Sequence, residues 1–359
     1  MTLVPLWFII ITILWTGFFI LEGFDFGVGM LHTLVGRDDA DRRAAINTIG
    51  PLWDANEVWL IVAVAAMFAA FPGWYATMFS GFYLLVALLL VALIVRGVSF
   101  EYRGKRDAVR WRRTWDISLT AGSVLAPFLI GVMLGDLVHG IPISAHQNYT
   151  GSFWTLLQPY ALLTGAALVL ICLLHGATFL TLKTSGEMRG RAGRLARRIA
   201  PVTAAAVLAF ISWTHANAGH GTLLNPIEIL AVLAAFAAVW LVLEHREGFA
   251  FAATTVTIAA SIVAIFTDLY PNVMVSSTRA AYNLTVHNTA SGAYSLRVLT
   301  VVAVIFLPLV LGYQAWTYHV FRRRVSTREF LPPSPRGAPD GAPGRPATPR
   351  VAGHRRQKS

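Results

Sequence analysis

The sequence predicts an all-α polytopic membrane protein with nine transmembrane helices. Three features of the 359-residue chain point there: 56% of residues are hydrophobic and only 13% charged, mean hydropathy is +0.59, and the basic residues are segregated along the chain. Soluble domains are typically about 25% charged, so the apolar excess argues against a soluble enzyme. A net charge of +11 and a pI near 10.3 would by themselves suggest nucleic acid or an anionic surface. Ten of the 29 Lys and Arg follow Phe321, however, in a tail whose only acids are Glu329 and Asp340, so the tail carries +8. Residues 1–320 are left near balance at +3, which excludes a nucleic-acid-binding core.

A hydrocarbon layer about 30 Å thick is crossed by roughly 20 apolar residues rising 1.5 Å each. Such runs lie near residues 5–33, 47–71, 74–96, 117–138, 156–182, 200–217, 227–243, 249–269 and 298–320. The first is too long and too acidic for a cleaved signal peptide and has no basic residue before it. The sixth and seventh are the shortest. With the N-terminus outside, the inner segments 34–46, 97–116, 183–199 and 244–248, the tail and Arg96 at an inner helix end hold 27 of the 29 basic residues. Only Arg279 and Arg297 fall outside, in segment 270–297. That asymmetry is the positive-inside pattern, and one span more or fewer in mid-chain would reverse every later loop. The expected protein is therefore multi-pass, with its N-terminus outside and C-terminus cytoplasmic. Residues 1–324 form the membrane domain. Residues 325–359, rich in Pro, Gly and Arg, form a tail with too little apolar surface to order itself. The tail's charge could touch anionic headgroups; a solvated tail is the plainer reading.

Most of the 18 acids lie in loops or at helix ends, and four do not: Glu22 and Asp25 in the first run, Asp54 and Glu57 in the second. Each pair is spaced i, i+3 and so shares a helix face. Counting from span ends at 33 and 47, Asp25 and Glu22 lie about 12 and 16 Å deep and Asp54 and Glu57 about 10 and 15 Å. Two antiparallel helices would thus hold two acids at each of two matching depths. An ionised carboxylate at mid-bilayer costs about 2.5–3.5 kcal/mol, so all four should face protein or water and share protons. A structural hydrogen-bond network and a divalent-cation site are the other readings. No basic residue lies within the membrane part of these two spans, so no salt bridge is expected from them. Asn56 can bridge carboxyls, Trp53 and Trp59 add aromatic edges, and Gly23 and Gly27 form a small-xxx-small spacing that permits close helix approach.

His175 alone sits near the interior of a long span; His32 and His319 lie at inner ends. Two axial imidazoles on different helices, which bis-histidine heme ligation needs, are not evident, and His175 reads as a packing residue. Cys172, the single cysteine, rules out an intrachain disulfide and a thiolate metal site.

The same residues resemble a known family. LEGFDFGVGMLHTLVGRDDADRRAAINTIGPLWDANEVWL is similar to the signature region of subunit II of cytochrome bd quinol oxidase. The likeness continues through FPGWYATMFSGFYL, RGVSFEYRGK, RWRRTWD, GVMLGDLVHGIP, YTGSFWTLLQPYALLTG, HGATFL and YPNVMVSSTRAAYNLTVHNTASGAYSLRV, covering roughly residues 1–320. The resemblance implies two four-helix bundles plus one peripheral helix in a bacterial inner membrane. It implies a partner, subunit I, carrying hemes b and d and the quinol-oxidising loop, with no heme or metal ligand in this chain. Asp25 and Asp54 match acids of the family, Asp54 at a position assigned to a cytoplasmic proton path. Glu22 matches an acidic position, and Glu57 one where some relatives carry Gln. Ala55 replaces the usual Gly of WDGNEVW, and Val275 stands where relatives often have Pro, which puts that turn in doubt.

The resulting expectation is a subunit of a quinol:O₂ oxidoreductase that supports subunit I and lines a proton path with carboxylates, inactive alone. Small accessory subunits, lipid and quinone are open as further partners. The alternative is a secondary transporter coupling protons or cations to a substrate through the same acids, although no span has the paired central breakers such transporters show.

Overall fold

The computed structural model describes residues 3–218 and 223–330. Among these residues, nine helices are long and apolar enough to cross a membrane. In chain order the helices are α1 (Leu3–Val35), α2 (Asp39–Asn47), α3 (Trp53–Ala70), α4 (Pro72–Gly81), α5 (Tyr83–Tyr102), α6 (Val109–His139), α7 (Pro159–Lys183), α8 (Gly186–Ala218), α9 (Pro226–Leu243), α10 (Glu247–Leu269) and α11 (Ala293–Val320). Helices α1, α3, α5 and α6 pack as one bundle and α7 to α10 as a second, with α1 and α6 meeting α7 at the seam. α11 leans on α3 and α1. Burial follows that arrangement: 67% of the α7 membrane window and 61% of the α6 window is buried, against 6% for α11. A helix apolar all round can occupy the centre of such a bundle or face lipid, and neighbouring helices decide which.

The seam is close because glycines meet across it. A Cβ on Gly27 would lie 2.1 Å from the Cys172 carbonyl oxygen and 2.6 Å from Gly176 Cα, so α1 and α7 touch backbone to backbone. Gly23, one turn earlier, is different: a Cβ there would meet only side-chain atoms at 3.5 Å or more. The small-xxx-small spacing is therefore used at one of its two positions.

Several boundaries move from those expected. The second span begins at Trp53, not near 47, because Asp38 caps a separate short helix, α2, and residues 48–52 make a turn in which Thr48, Ile49 and Leu52 are buried. The third is divided at Phe82 into α4 and α5. The basic segments 97–116 and 183–199 are mostly helical extensions of α5, α6 and α8. Of the tail, Val325–Phe330 is fastened rather than free. Val325 N donates to Lys183 O at 2.7 Å, Thr327 Oγ1 donates to Asp41 Oδ1 at 2.8 Å, and Arg324 donates to the carbonyls of Thr181 and Thr184. The expectation for 331–359 lies outside the described residues. At the opposite end of the molecule, β1 (Asn272–Met274) and β2 (Leu284–Thr285) form an antiparallel pair. There Val275 N donates to Leu137 O at 3.1 Å, a bond that proline could not make and that holds the turn.

Candidate functional site

The centre of the first bundle holds one guanidinium and three carboxyls. Arg96, from α5, is fully buried; its Nη1 lies 2.6 Å from Glu22 Oε1 on α1 and 3.0 Å from Glu57 Oε2 on α3. The ring of Phe26 sits 4.8 Å from Arg96 Cζ and that of Phe100 5.3 Å, so the cation is sandwiched by aromatic faces. Asp25, also fully buried, accepts from Asn56 Nδ2 at 2.7 Å. Asn56 uses both ends of its amide. Nδ2 also donates to Leu21 O at 3.2 Å, while Oδ1 accepts from Gln314 Nε2 at 2.8 Å and from Tyr318 OH at 3.0 Å on α11. The peripheral helix is thereby tied to the carboxylate cluster through a single side chain.

This cluster is incompletely satisfied. Glu22 Oε2, Asp25 Oδ1, Arg96 Nε and Arg96 Nη2 are buried without a hydrogen-bond partner among the described residues, and Glu22 Oε1 is met by Arg96 Nη1 alone. Native interiors leave only a few such atoms per hundred residues, and four of them in one ion-paired cluster mark a place for water or for shared protons.

Of the sequence-predicted residues, Glu22, Asp25, Asn56 and Glu57 come together, and Asp54 does not. It lies in the first turn of α3 with its side chain exposed, on the same face as exposed Val58, Ile61 and Val62. The matching-depth expectation fails because depth was counted from an apolar run starting near 47, whereas α3 starts inside the protein after a buried turn. Trp53 stacks on Phe100 at 4.8 Å, continuing the aromatic wall beside Arg96, and Trp59 packs over Gly17. Gly27 serves the α1–α7 contact.

The expectation that no salt bridge is available is overturned. The cation comes from α5, a helix not considered with the two acidic spans. Arg96 was legible as an arginine at the end of the run LLLVALIVRG, where it reads equally as a marker of the inner rim. A second buried network was missed altogether. His32 Nε2 lies 3.2 Å from Asp116 Oδ1 and its Nδ1 2.8 Å from Gly29 O. Arg103 Nε donates to Asp116 at 2.6 Å and its Nη2 to Asp39 at 2.9 Å, and Arg42 reaches Asp116 at 3.2 Å. In sequence these residues stand in basic loops and carry no signal beyond topology.

The buried His175 and His32 are engaged within the protein. Both ring nitrogens of His175 are engaged, Nδ1 with Thr254 Oγ1 at 2.8 Å and Nε2 with Ile20 O at 3.2 Å, and the ring stacks on Phe251 at 4.5 Å. His32 is occupied in the same way. Among the described residues no group of three or more His, Cys, Asp or Glu could hold a metal ion. Cys172 is buried in the seam.

Fold and site together define an integral membrane protein built of two helical bundles, with an ion-paired carboxylate cluster inside the first. Residues 3–321 match the family of cytochrome bd terminal oxidase subunit II. The chain is 44% identical over 328 residues to the cytochrome bd ubiquinol oxidase subunit 2 of Bacillus subtilis, covering 90% of this chain and 97% of that one. It is 35% identical over 362 residues to the cytochrome bd-I ubiquinol oxidase subunit 2 of Escherichia coli K12, covering 90% and 96%. In structure it resembles a chain of the bd oxidase from Geobacillus thermodenitrificans, with a TM-score of 0.71 at 18% identity, covering 89% of this chain and 99% of that one. The chain belongs to the cytochrome bd oxidase subunit II family. It is thus a subunit of a respiratory oxidoreductase of the bacterial inner membrane, in a complex whose family implies heme and a partner subunit I.

Proposed function

We propose that this chain pairs with a heme-bearing subunit I as a heterodimer. In this reading it supports that subunit and conducts protons from the cytoplasm toward the site where quinol electrons reduce O₂. Hemes b and d belong to the partner and supply the oxygen chemistry there; the residues of this chain hold and pass protons. The observation that carries the reading is the Arg96 cluster, in which three carboxyls share one cation and four polar atoms are left without a partner. One guanidinium faces three carboxyls. With all three ionised the group would carry −2 in a low-dielectric interior, a costly state. Neutrality is reached when two of the three hold protons, and Glu22, Asp25 and Glu57 then form a set among which protons can be exchanged through water. Asn56 orients Asp25 and couples it to Gln314 and Tyr318. The N-terminus is outside and the C-terminus cytoplasmic, by the distribution of basic residues.

Asp54 has a different place in this reading. An acid on an otherwise apolar, exposed helix face is poorly suited to lipid, so the α3 stripe of Asp54, Val58 and Ile61 is the face set against subunit I. Asp54 then hands protons across the interface. Family membership replaces the transporter alternative.

The test uses the whole oxidase with Asp54→Asn and, separately, Glu22→Gln. Quinol-driven O₂ consumption is expected to fall at least tenfold while heme absorbance per complex stays near wild type. Wild-type turnover in both variants would overturn the proton-path role. Loss of heme together with turnover would assign these acids to structure instead.

A further inference from the structure

At the basic end of the molecule, α1, the start of α2 and the start of α6 enclose an open pocket of about 660 Å³. Its walls carry five arginines against three aspartates, a surplus of two positive charges. Three of the arginines are committed. Arg103 pairs with Asp116 and Asp39, Arg42 with Asp116, and Arg112 with Asp39 and Asp107. The other two are held weakly or not at all. Arg113 is exposed and pairs with no described residue, and Arg37, its side chain 70% exposed, reaches only Glu187 at 3.8 Å. The floor is rigid, since the side chains of Arg103 and Asp116 are 6% and 3% exposed.

The rim adds what a soluble anion would not need. Val109 and Ile117 of α6 line the same pocket and are 81% and 60% exposed. Eight residues apart, they are about 12 Å apart along the helix and close to one face. The pocket therefore lies where α1 ends and α6 begins, just before the apolar run expected to start near residue 117, with lightly held guanidinium groups on one side and apolar side chains of α6 on the other.

We infer that this pocket is a binding site for the headgroup of an anionic phospholipid of the phosphatidylglycerol or diphosphatidylglycerol type. The phosphate is held by Arg37 and Arg113, and one acyl chain enters the bilayer past Ile117, at the start of the apolar run of α6. Guanidinium forks match phosphate oxygens in pairs, and basic pockets between membrane helices take such headgroups. A zwitterionic lipid would bring its own ammonium into a pocket that already has a positive surplus, so the site discriminates by charge. None of these residues belongs to the proton-path reading, and the inference stands apart from it.

The experiment takes the intact oxidase, delipidated by detergent exchange, and titrates it with phosphatidylglycerol or phosphatidylcholine in mixed micelles, counting bound lipid by native mass spectrometry. Wild type is expected to bind phosphatidylglycerol saturably and in preference to phosphatidylcholine. Arg37→Gln combined with Arg113→Gln should weaken that binding roughly thirty-fold, each arginine contributing about five-fold, with turnover and heme absorbance unchanged. Ile117→Asn should weaken lipid binding with both arginines present. Equal affinity in the double arginine variant, or equal binding of phosphatidylcholine, overturns the inference. So does displacement of the lipid by millimolar inorganic phosphate with Ile117→Asn inert, which would assign the pocket to a soluble anion.

Discussion

Arg96→Gln is the most informative single perturbation of the first bundle. At the separations observed, 2.6 Å to Glu22 and 3.0 Å to Glu57, each attraction amounts to about 6 kcal/mol before desolvation, taking an effective dielectric of about 20. Most of that is offset by the cost of removing the three groups from water. What remains measurable is the cost of stranding the carboxyls when the cation leaves, about 3–5 kcal/mol for a buried pair broken from one side. Glutamine keeps much of the volume and the aromatic contacts with Phe26 and Phe100, so the loss reports charge rather than a cavity. The assay is denaturant unfolding of the whole complex in mixed micelles, run on Arg96→Gln, Glu22→Gln and the double variant. Arg96→Gln should be the least stable, and the double variant should recover about 1–3 kcal/mol relative to it, because the carboxylate nearest the lost cation is then gone and only Glu57 and Asp25 remain to be neutralised. A double variant no more stable than Arg96→Gln alone would refute the reasoning, since it would mean that the guanidinium and Glu22 do not act on one another.

Three further outcomes follow from the packing. Gly27→Ala should destabilise the complex by about 1–3 kcal/mol through overpacking against Cys172 and Gly176, while Gly23→Ala should be neutral or slightly stabilising. Thermal midpoints of the two variants check this, and equal shifts would contradict the backbone contact. Asn56→Leu removes four hydrogen bonds at once and should raise amide exchange over residues 305–320 of α11, whose link to α3 at that end is through Asn56; unchanged exchange would show that α11 is held otherwise. Val275→Pro deletes the donor to Leu137 O and should cost about 1 kcal/mol, read as a lowered midpoint with turnover retained.

The two halves of the cluster differ in how readable they were. Glu22, Asp25, Asn56 and Glu57 stood out because polar residues in an apolar run have few innocent explanations, and their i, i+3 spacing put each pair on one face. Their counterion did not stand out, since Arg96 lies at a run's end, where arginine is ordinary. Asp116 and Arg103 were hidden for the same reason. Asp54 was misplaced with respect to its neighbours because hydropathy does not distinguish the buried turn at 48–52 from the helix that follows it.

The number of spans and their order were already determined by the amino-acid sequence, because the bilayer requires about 20 apolar residues per crossing and each run comes close to that length on its own. Which helix faces which was decided by the tertiary structure. That choice depends on contacts between residues far apart in the chain, such as Gly27 with Gly176, Arg96 with Glu22 and Gln314 with Asn56. No local pattern records them, because in an apolar medium every face of these helices is equally acceptable until backbones touch and charges find their partners.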